Sequence, residues 1–241
     1  MPKFDAIPQQ LKAQARFCCW RYEERDGKTT KVPYNAMTGG KAQTNVPETF
    51  CDYTAAVERV GQYDGLGFRV ADGICALDLD KCFDGDGSLK AWAQDVACQF
   101  AGCYMEKSPS GTGLRIIFMA PDFAFDKARY YINNRNLGFE VYVAGATNRF
   151  VTLTGNVYHE GALLDTTEPL QQVLDRYMRR SIDWIYTEPS KAKSYLTDES
   201  VLKKALKSSS GDKLKRLWSG DASGYGSASE ADLALASILA F

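Results

Sequence analysis

Between residues 17 and 154 the chain is a succession of short strand-like runs: FCCWRYEE, KTTKVPY, GLGFRV, ICALDLD, CYMEKS, GLRIIFM, LGFEVYV and RFVTLT. Each is β-branched, aromatic or alternating in polarity, which is the signature of strands. One helical pattern interrupts them, SLKAWAQDVACQFA, in which Leu89, Trp92, Val96 and Phe100 recur at helical spacing and share a core-facing stripe. The short connections among the later runs constrain the fold most. Parallel neighbours need crossovers of a dozen or more residues, so hairpin-length links predict an antiparallel or mixed sheet with packed helices, an α+β class.

The chain of 241 residues is 45% apolar and 24% charged, an ordinary globular balance with enough apolar surface to bury a core. No apolar run approaches the roughly 20 residues a membrane span needs, and the N-terminus lacks the apolar stretch of a signal peptide. These features predict a soluble, cytoplasmic protein with no membrane partner. Seven cysteines, odd in number and without CxxC spacing, predict reduced and mostly buried thiols rather than a disulfide framework or zinc finger. The formal net charge is −1, so nothing global points to nucleic acid. Residues 191 to 219, however, carry eight basic against three acidic side chains, a local excess of +5 that suits either a solvated helix face or a phosphate-contacting surface.

Composition shifts once, near Thr187-Glu188-Pro189-Ser190-Lys191, and this predicts one domain over 1–187 and a basic helical segment over 188–241. The segment reads as helices LTDESVLKKALKS and DKLKRLW, then a third opened by a Ser227-x-x-Glu230 capping box. The last helix ends on apolar Phe241 with no C-cap glycine or polar turn, which predicts that the polypeptide continues into a further domain.

Chemistry is concentrated in three runs. In Ile74-Cys75-Ala76-Leu77-Asp78-Leu79-Asp80, a strand sends Leu77 and Leu79 to a core and both carboxylates to the opposite face, with Cα atoms ~6.6 Å apart. Converging carboxylates can share a divalent cation or bridge a pair of them, as phosphoryl-transfer sites do. Glu140, a lone charge in LGFEVYV, can bring a third carboxylate from another strand; a water-facing edge-strand Glu is the alternative. Between them, Lys107-Ser108-Pro109-Ser110-Gly111-Thr112-Gly113 is a turn whose amides and hydroxyls can cradle phosphate, with Arg115 adding a forked cation. Read alone, this turn is an ordinary hairpin loop.

Other chemistries lack their residues. There is no GxxxxGK[ST], Gly65-Leu66-Gly67 lacks the third glycine of a dinucleotide fingerprint, and Asp84-Gly85-Asp86-Gly87 is a turn, not a calcium loop. The sole histidine, His159, falls in a predicted loop, which argues against a Ser-His-Asp triad and excludes a multi-histidine zinc hydrolase.

Together LDLD at 77–80, KSPSGTGLR at 107–115, FEVY at 139–142 and RFVTLTG at 149–155 resemble the archaeo-eukaryotic primase-polymerase superfamily. The resemblance is to the bifunctional DNA primase-polymerase domains that phages and mobile elements fuse to a replicative helicase. It extends through Trp20-Arg21-Tyr22-Glu23, Lys31-Val32-Pro33-Tyr34-Asn35 and Gly65-Leu66-Gly67-Phe68, over about residues 10 to 160. It implies an RRM-like sheet in which Asp78, Asp80 and Glu140 hold two Mg²⁺ or Mn²⁺ ions. It further implies that Ser108, Ser110 and Gly111 touch an incoming triphosphate, with Arg115 beside them, and that Lys31, Tyr34, Asn35 and Arg149 lie near nucleotide or template. The implied substrates are NTPs or dNTPs, and the implied partners are single-stranded DNA template, primer and a C-terminal helicase. The chain departs from the family at Arg115, where the second motif usually ends in His, and at the longer turn Ala144-Gly145-Ala146-Thr147-Asn148. Arginine keeps the charge but exchanges no proton.

Three functions follow. The first is DNA-templated nucleotidyl transfer in phage or mobile-element replication. The second is a catalytically weak or inactive DNA-binding module that loads DNA for an attached helicase, a reading Arg115 motivates. The third is a metal-dependent nuclease using the same acids.

Overall fold

A computed structural model describes residues 4–25, 27–180, 198–208 and 210–239. The chain divides into two compact units, Met1–Ile182 and Asp183–Phe241. The boundary predicted at 187/188 lies outside the described residues.

In the first unit, β1 (Phe17–Arg25), β2 (Lys28–Tyr34), β3 (Gly65–Arg69) and β9 (Phe150–Leu153) form a four-stranded sheet in the order β2-β1-β3-β9. A six-stranded sheet follows the order β10-β5-β6-β4-β8-β7. Its members are β4 (Ile74–Leu79), β5 (Tyr104–Lys107), β6 (Leu114–Met119), β7 (Asn133–Asn134), β8 (Phe139–Tyr142) and β10 (Val157–His159). Every strand pair in both sheets is antiparallel, as the short links require for β1–β2, β5–β6 and β7–β8. The expected loop at His159 is instead the end of β10, where the histidine sits opposite Met105 across a register shift; three residues were too few to show alternation.

The period of two explains the layers. Cys75, Leu77 and Leu79 of β4 point to one face and join Leu114, Ile116, Phe118, Phe139 and Val141. This face is covered by α3 (Ala91–Gln99) and by α4 (Thr167–Val173), which runs on into a π-helical turn over Leu174–Met178. Ile74 and Ala76, on the opposite face, pack with Tyr104 and Ile117 against Phe17, Leu66, Phe68, Val151 and Leu153 of the four-stranded sheet. Leu11 of α1 (Gln9–Gln14) and Ala56 of α2 (Tyr53–Arg59) complete this second core.

The helix expected over 88–101 is shorter because its first residues are held elsewhere. Ser88 donates to Asp86 through both its N–H and its hydroxyl, closing the turn over Asp84–Gly87, and Leu89 bridges Phe83. The thiols of Cys18, Cys19, Cys51, Cys75, Cys82 and Cys103 are buried and that of Cys98 is exposed, all free, as expected.

In the second unit lie α5 (Asp198–Ala205), α6 (Gly211–Trp218) and α7 (Ala228–Leu239). Leu214 and Leu217 of α6 are buried, while Lys213, Lys215 and Arg216 are exposed on its other side. Ser227 caps the third helix, its hydroxyl accepting from the N–H of Glu230 at 3.2 Å, and the Glu230 carboxylate reaches back to the N–H of Gly226. Among the described residues no helix is long and apolar enough to cross a membrane.

Candidate active site

The inter-sheet face of β4 changes character along its length. After Ile74 and Ala76 the next inward position is Asp78, directly opposite Arg115 of β6 on one side and Glu140 of β8 on the other. Arg115 is in turn opposite Glu106 of β5, and Glu140 opposite Asn133 of β7. Directly opposed residues of antiparallel strands share a face at Cβ separations of ~5 Å. Five polar side chains therefore cross the sheet in one row: Glu106, Arg115, Asp78, Glu140, Asn133.

A cleft of about 770 Å³ opens over this row. Asp78, Arg115, Glu140 and Tyr142 form one side, with Thr30, Lys31 and Pro33 of β2, residues 42–45 and residues 148–152 around the remainder. The lining brings together Asp78, Glu140, Arg115, Lys31 and Arg149 of the residues expected from sequence.

The others fall elsewhere. Asp80 lies one residue past β4, anchored by its N–H to the carbonyl of Gly138 at 2.7 Å. Burial, then the charges of Asp78 and Glu140, push its carboxyl above the usual aspartate range, so the three acids feel one another. Ser108, Ser110 and Gly111 form the β5–β6 turn and do not line the cleft. Their hydroxyls are turned on one another and on the turn: Ser108 to Ser110 at 3.0 Å, Ser110 to Thr112 at 2.9 Å, and the Gly113 N–H to Ser108 at 3.1 Å. Tyr34 donates to Glu23, and the Asn35 side-chain oxygen accepts from the amides of Met37 and Thr38, a turn-forming role.

Three residues were not anticipated. Tyr142, two positions after Glu140 on the same face, donates to it at 2.6 Å; burial, then the charges of Asp78 and Glu140, hold its phenol protonated. Asn133 also donates to Glu140. Glu106, fully buried, accepts from the amides of Thr154 at 2.8 Å and Gly155 at 3.0 Å and from the Tyr104 hydroxyl at 3.1 Å. The signal for Tyr142 and Glu106 was alternation, since each shares its face with an apolar or acidic inward residue of its own strand.

Electrostatically the cleft has opposed sides. Lys31 faces the acids across it: burial, then Arg115, lower its ammonium, while Asp78 and Asp80 hold it up. Arg115 is 5% exposed and binds the carbonyl of Thr152 through Nη1 at 2.7 Å, reaching Asp78 more loosely at 3.4 Å.

Hard oxygen donors suit Mg²⁺ or Mn²⁺. Two observations fit such an ion. The Oδ1 atom of Asp78 is buried without a hydrogen-bond partner, and burial, then the charges of Asp78 and Glu140, raise the Asp80 carboxyl. The ligand sphere is not closed in the present rotamers: among the described residues no three His, Cys, Asp or Glu side chains are gathered around one point. Asp78 leans on Arg115, and Glu140 is held by Tyr142 and Asn133.

No family model matches the chain. Over 155 residues, 61% of this chain, the sequence is 31% identical to a DNA primase-polymerase of Nitratiruptor phage NrS-1. The matched stretch is 20% of that protein, so the chain spans a small part of its relative's length. The similarity relates the chain to a phage DNA primase-polymerase.

Proposed function

We propose that the cleft carries out DNA-templated nucleotidyl transfer, as primer synthesis, primer extension or both, in the replication of a phage or mobile element. The observation that carries the reading is the register that sets Asp78 opposite Glu140 beneath a cleft whose other side holds Lys31 and Arg149. Two carboxylates on one side of a cleft and basic groups on the other are what a magnesium nucleotide needs, with hard oxygens for the cation and ammonium and guanidinium groups for the phosphates. The phage relative supplies the reaction class. The order β5-β6-β4-β8, with α3 crossing between β4 and β5, supports an RRM-like core.

Asp78, Asp80 and Glu140 would hold the ion or ions after rotating toward the cleft. Bound there, Mg²⁺ or Mn²⁺ would supply the Lewis acidity that activates a primer 3′-hydroxyl and neutralises the leaving pyrophosphate. The chain's own residues do the rest. Lys31 and Arg149 draw in the triphosphate of an NTP or dNTP. Tyr142 and Asn133 hold the Glu140 carboxylate in place as donors. The exposed basic side of α6 offers phosphate contacts for single-stranded nucleic acid, and the partner implied by the resemblance is a replicative helicase.

The test is a gel assay on an annealed primer-template and on bare single strands, with each nucleotide type, in Mg²⁺ and Mn²⁺. Chains that grow with wild type and not with the Asp78→Ala, Asp80→Ala double variant support the reading. Growth that survives the double change contradicts it, and chains that shorten mark a nuclease. DNA binding without products marks a loading module, the reading favoured by the hold of Arg115 on Asp78.

A further inference from the structure

Arg115 sits between two carboxylates, opposite Glu106 on one neighbouring strand and Asp78 on the other. Its bonds are unequal. Nη1 meets the carbonyl of Thr152 at 2.7 Å, a strong contact, whereas Nε and Nη2 stand 3.4 Å from the two oxygens of Asp78, well beyond the ~2.8 Å of a good guanidinium-carboxylate pair. Both Nε of Arg115 and Oδ1 of Asp78 lack an aligned partner. The guanidinium is thus anchored to the backbone of β9 and only leans on the carboxylate.

The anchor is itself fixed. Glu106 accepts from the amides of Thr154 and Gly155, two and three residues after the carbonyl that Arg115 grips, and Tyr104 donates to the same carboxylate. Glu106, Thr152 and Arg115 therefore form one buried tie between the six-stranded sheet and β9, and Asp78 lies at its free end.

We infer that Arg115 is a built-in counter-cation for Asp78 and a positioning residue, not a contact for the nucleotide's phosphates. This rests on the metal-dependent reading above. A 5% exposed guanidinium held to a strand backbone is poorly placed to follow a mobile triphosphate. Its loose grip on Asp78 lets a divalent ion take the carboxylate without disturbing the tie. Arg115 and the ion compete for one side chain, so removing the guanidinium charge tightens metal binding while nucleotide affinity without metal falls only by the screened long-range effect of the lost charge.

The experiment is a titration of the full chain with Mn²⁺ alone, following free ion by electron paramagnetic resonance, beside dATP binding in EDTA. Arg115→Gln is expected to bind Mn²⁺ about tenfold more tightly, the effect of removing one opposite charge beside a carboxylate. Arg115→Lys, which keeps the charge, is expected to stay within about twofold for Mn²⁺. Arg115→Lys is expected to bind dATP as wild type does, and Arg115→Gln to lose no more than about threefold, the screened long-range share of the lost charge. Unchanged Mn²⁺ affinity in Arg115→Gln overturns the inference, as does a tenfold loss of dATP binding in either variant, which would make Arg115 a phosphate contact. Should circular dichroism show Arg115→Gln unfolded, the dATP affinity of Arg115→Lys decides alone. A wild-type chain that binds no Mn²⁺ removes the metal reading itself, an outcome distinct from a wild type that binds the ion with a variant that matches it.

Discussion

The inner face of β4 has two ends built from one alternation and put to opposite uses. At Ile74 and Ala76 it meets Phe68, Leu66 and Ile117 in a dry layer between the sheets; two residues on, Asp78 begins a row of charges under an open cleft. The strand, the pleat and the hydrogen-bond ladder are the same at both ends. What differs is what the four-stranded sheet sets against it: Val151 and Leu153 of β9 pack on the apolar end, whereas at the polar end Lys31 and residues 148–152 border an open cleft and the carbonyl of Thr152 takes the Arg115 guanidinium. A continuous strand can thus stabilise with one half and host chemistry with the other, because side chains rather than backbone decide where the sheets stay closed.

The comparison is broken most severely at the apolar end. Phe68→Ala is expected to cost about 3–5 kcal/mol, the range for emptying a buried aromatic site, as read by chemical denaturation, with activity of the folded fraction retained. A loss of activity without a loss of stability would show that the two ends are not separable.

Gly67→Ala sharpens the comparison, because it couples the ends. A Cβ there would stand 2.9 Å from the carbonyl oxygen of Val151 and 3.1 Å from the Phe150 ring. A backbone atom cannot step aside, so β9 must shift. The expected cost is about 1–3 kcal/mol by denaturation together with reduced primer extension, since β9 carries the carbonyl that anchors Arg115.

The smallest effect lies on the β1–β2 hairpin. Hydrogen bonds from Tyr34, then Lys41, lower the Glu23 carboxyl to about 2 from 4.5. Its folded value is depressed, so whatever it contributes is present above about 4.5 and is lost as pH falls toward 2. An NMR titration is expected to show the low midpoint in wild type and a rise toward 4.5 in Tyr34→Phe, with little change in synthesis. A large loss of synthesis would return Tyr34 to the nucleotide site.

The strands and the face of Asp78 opposite to Leu77 and Leu79 were legible from alternation, whereas Glu140 kept a water-facing alternative until the register set it opposite Asp78. Arg115 was read only as a cation beside the phosphate turn; its partner, the carbonyl of Thr152, depends on two sheets folding together. Glu106 was missed for a related reason. In a four-residue strand a charge looks like an edge residue until the amides of Thr154 and Gly155, nearly fifty positions away, are seen to meet it. Ser108, Ser110 and Gly111 have the composition of a phosphate cradle, yet composition does not say where a turn's hydroxyls point, and here they satisfy the turn itself.

In the proposed function Asp78 and Glu140, from neighbouring strands, act on one reaction centre. A double-mutant cycle on primer extension tests it most directly, using Asp78→Asn, Glu140→Gln and the combination at saturating Mn²⁺. Groups that act as a unit are strongly non-additive. Each single change is expected to remove nearly all synthesis, and the double to be no worse than either. Two partial losses that multiply in the double variant would place the carboxylates in separate roles and contradict it.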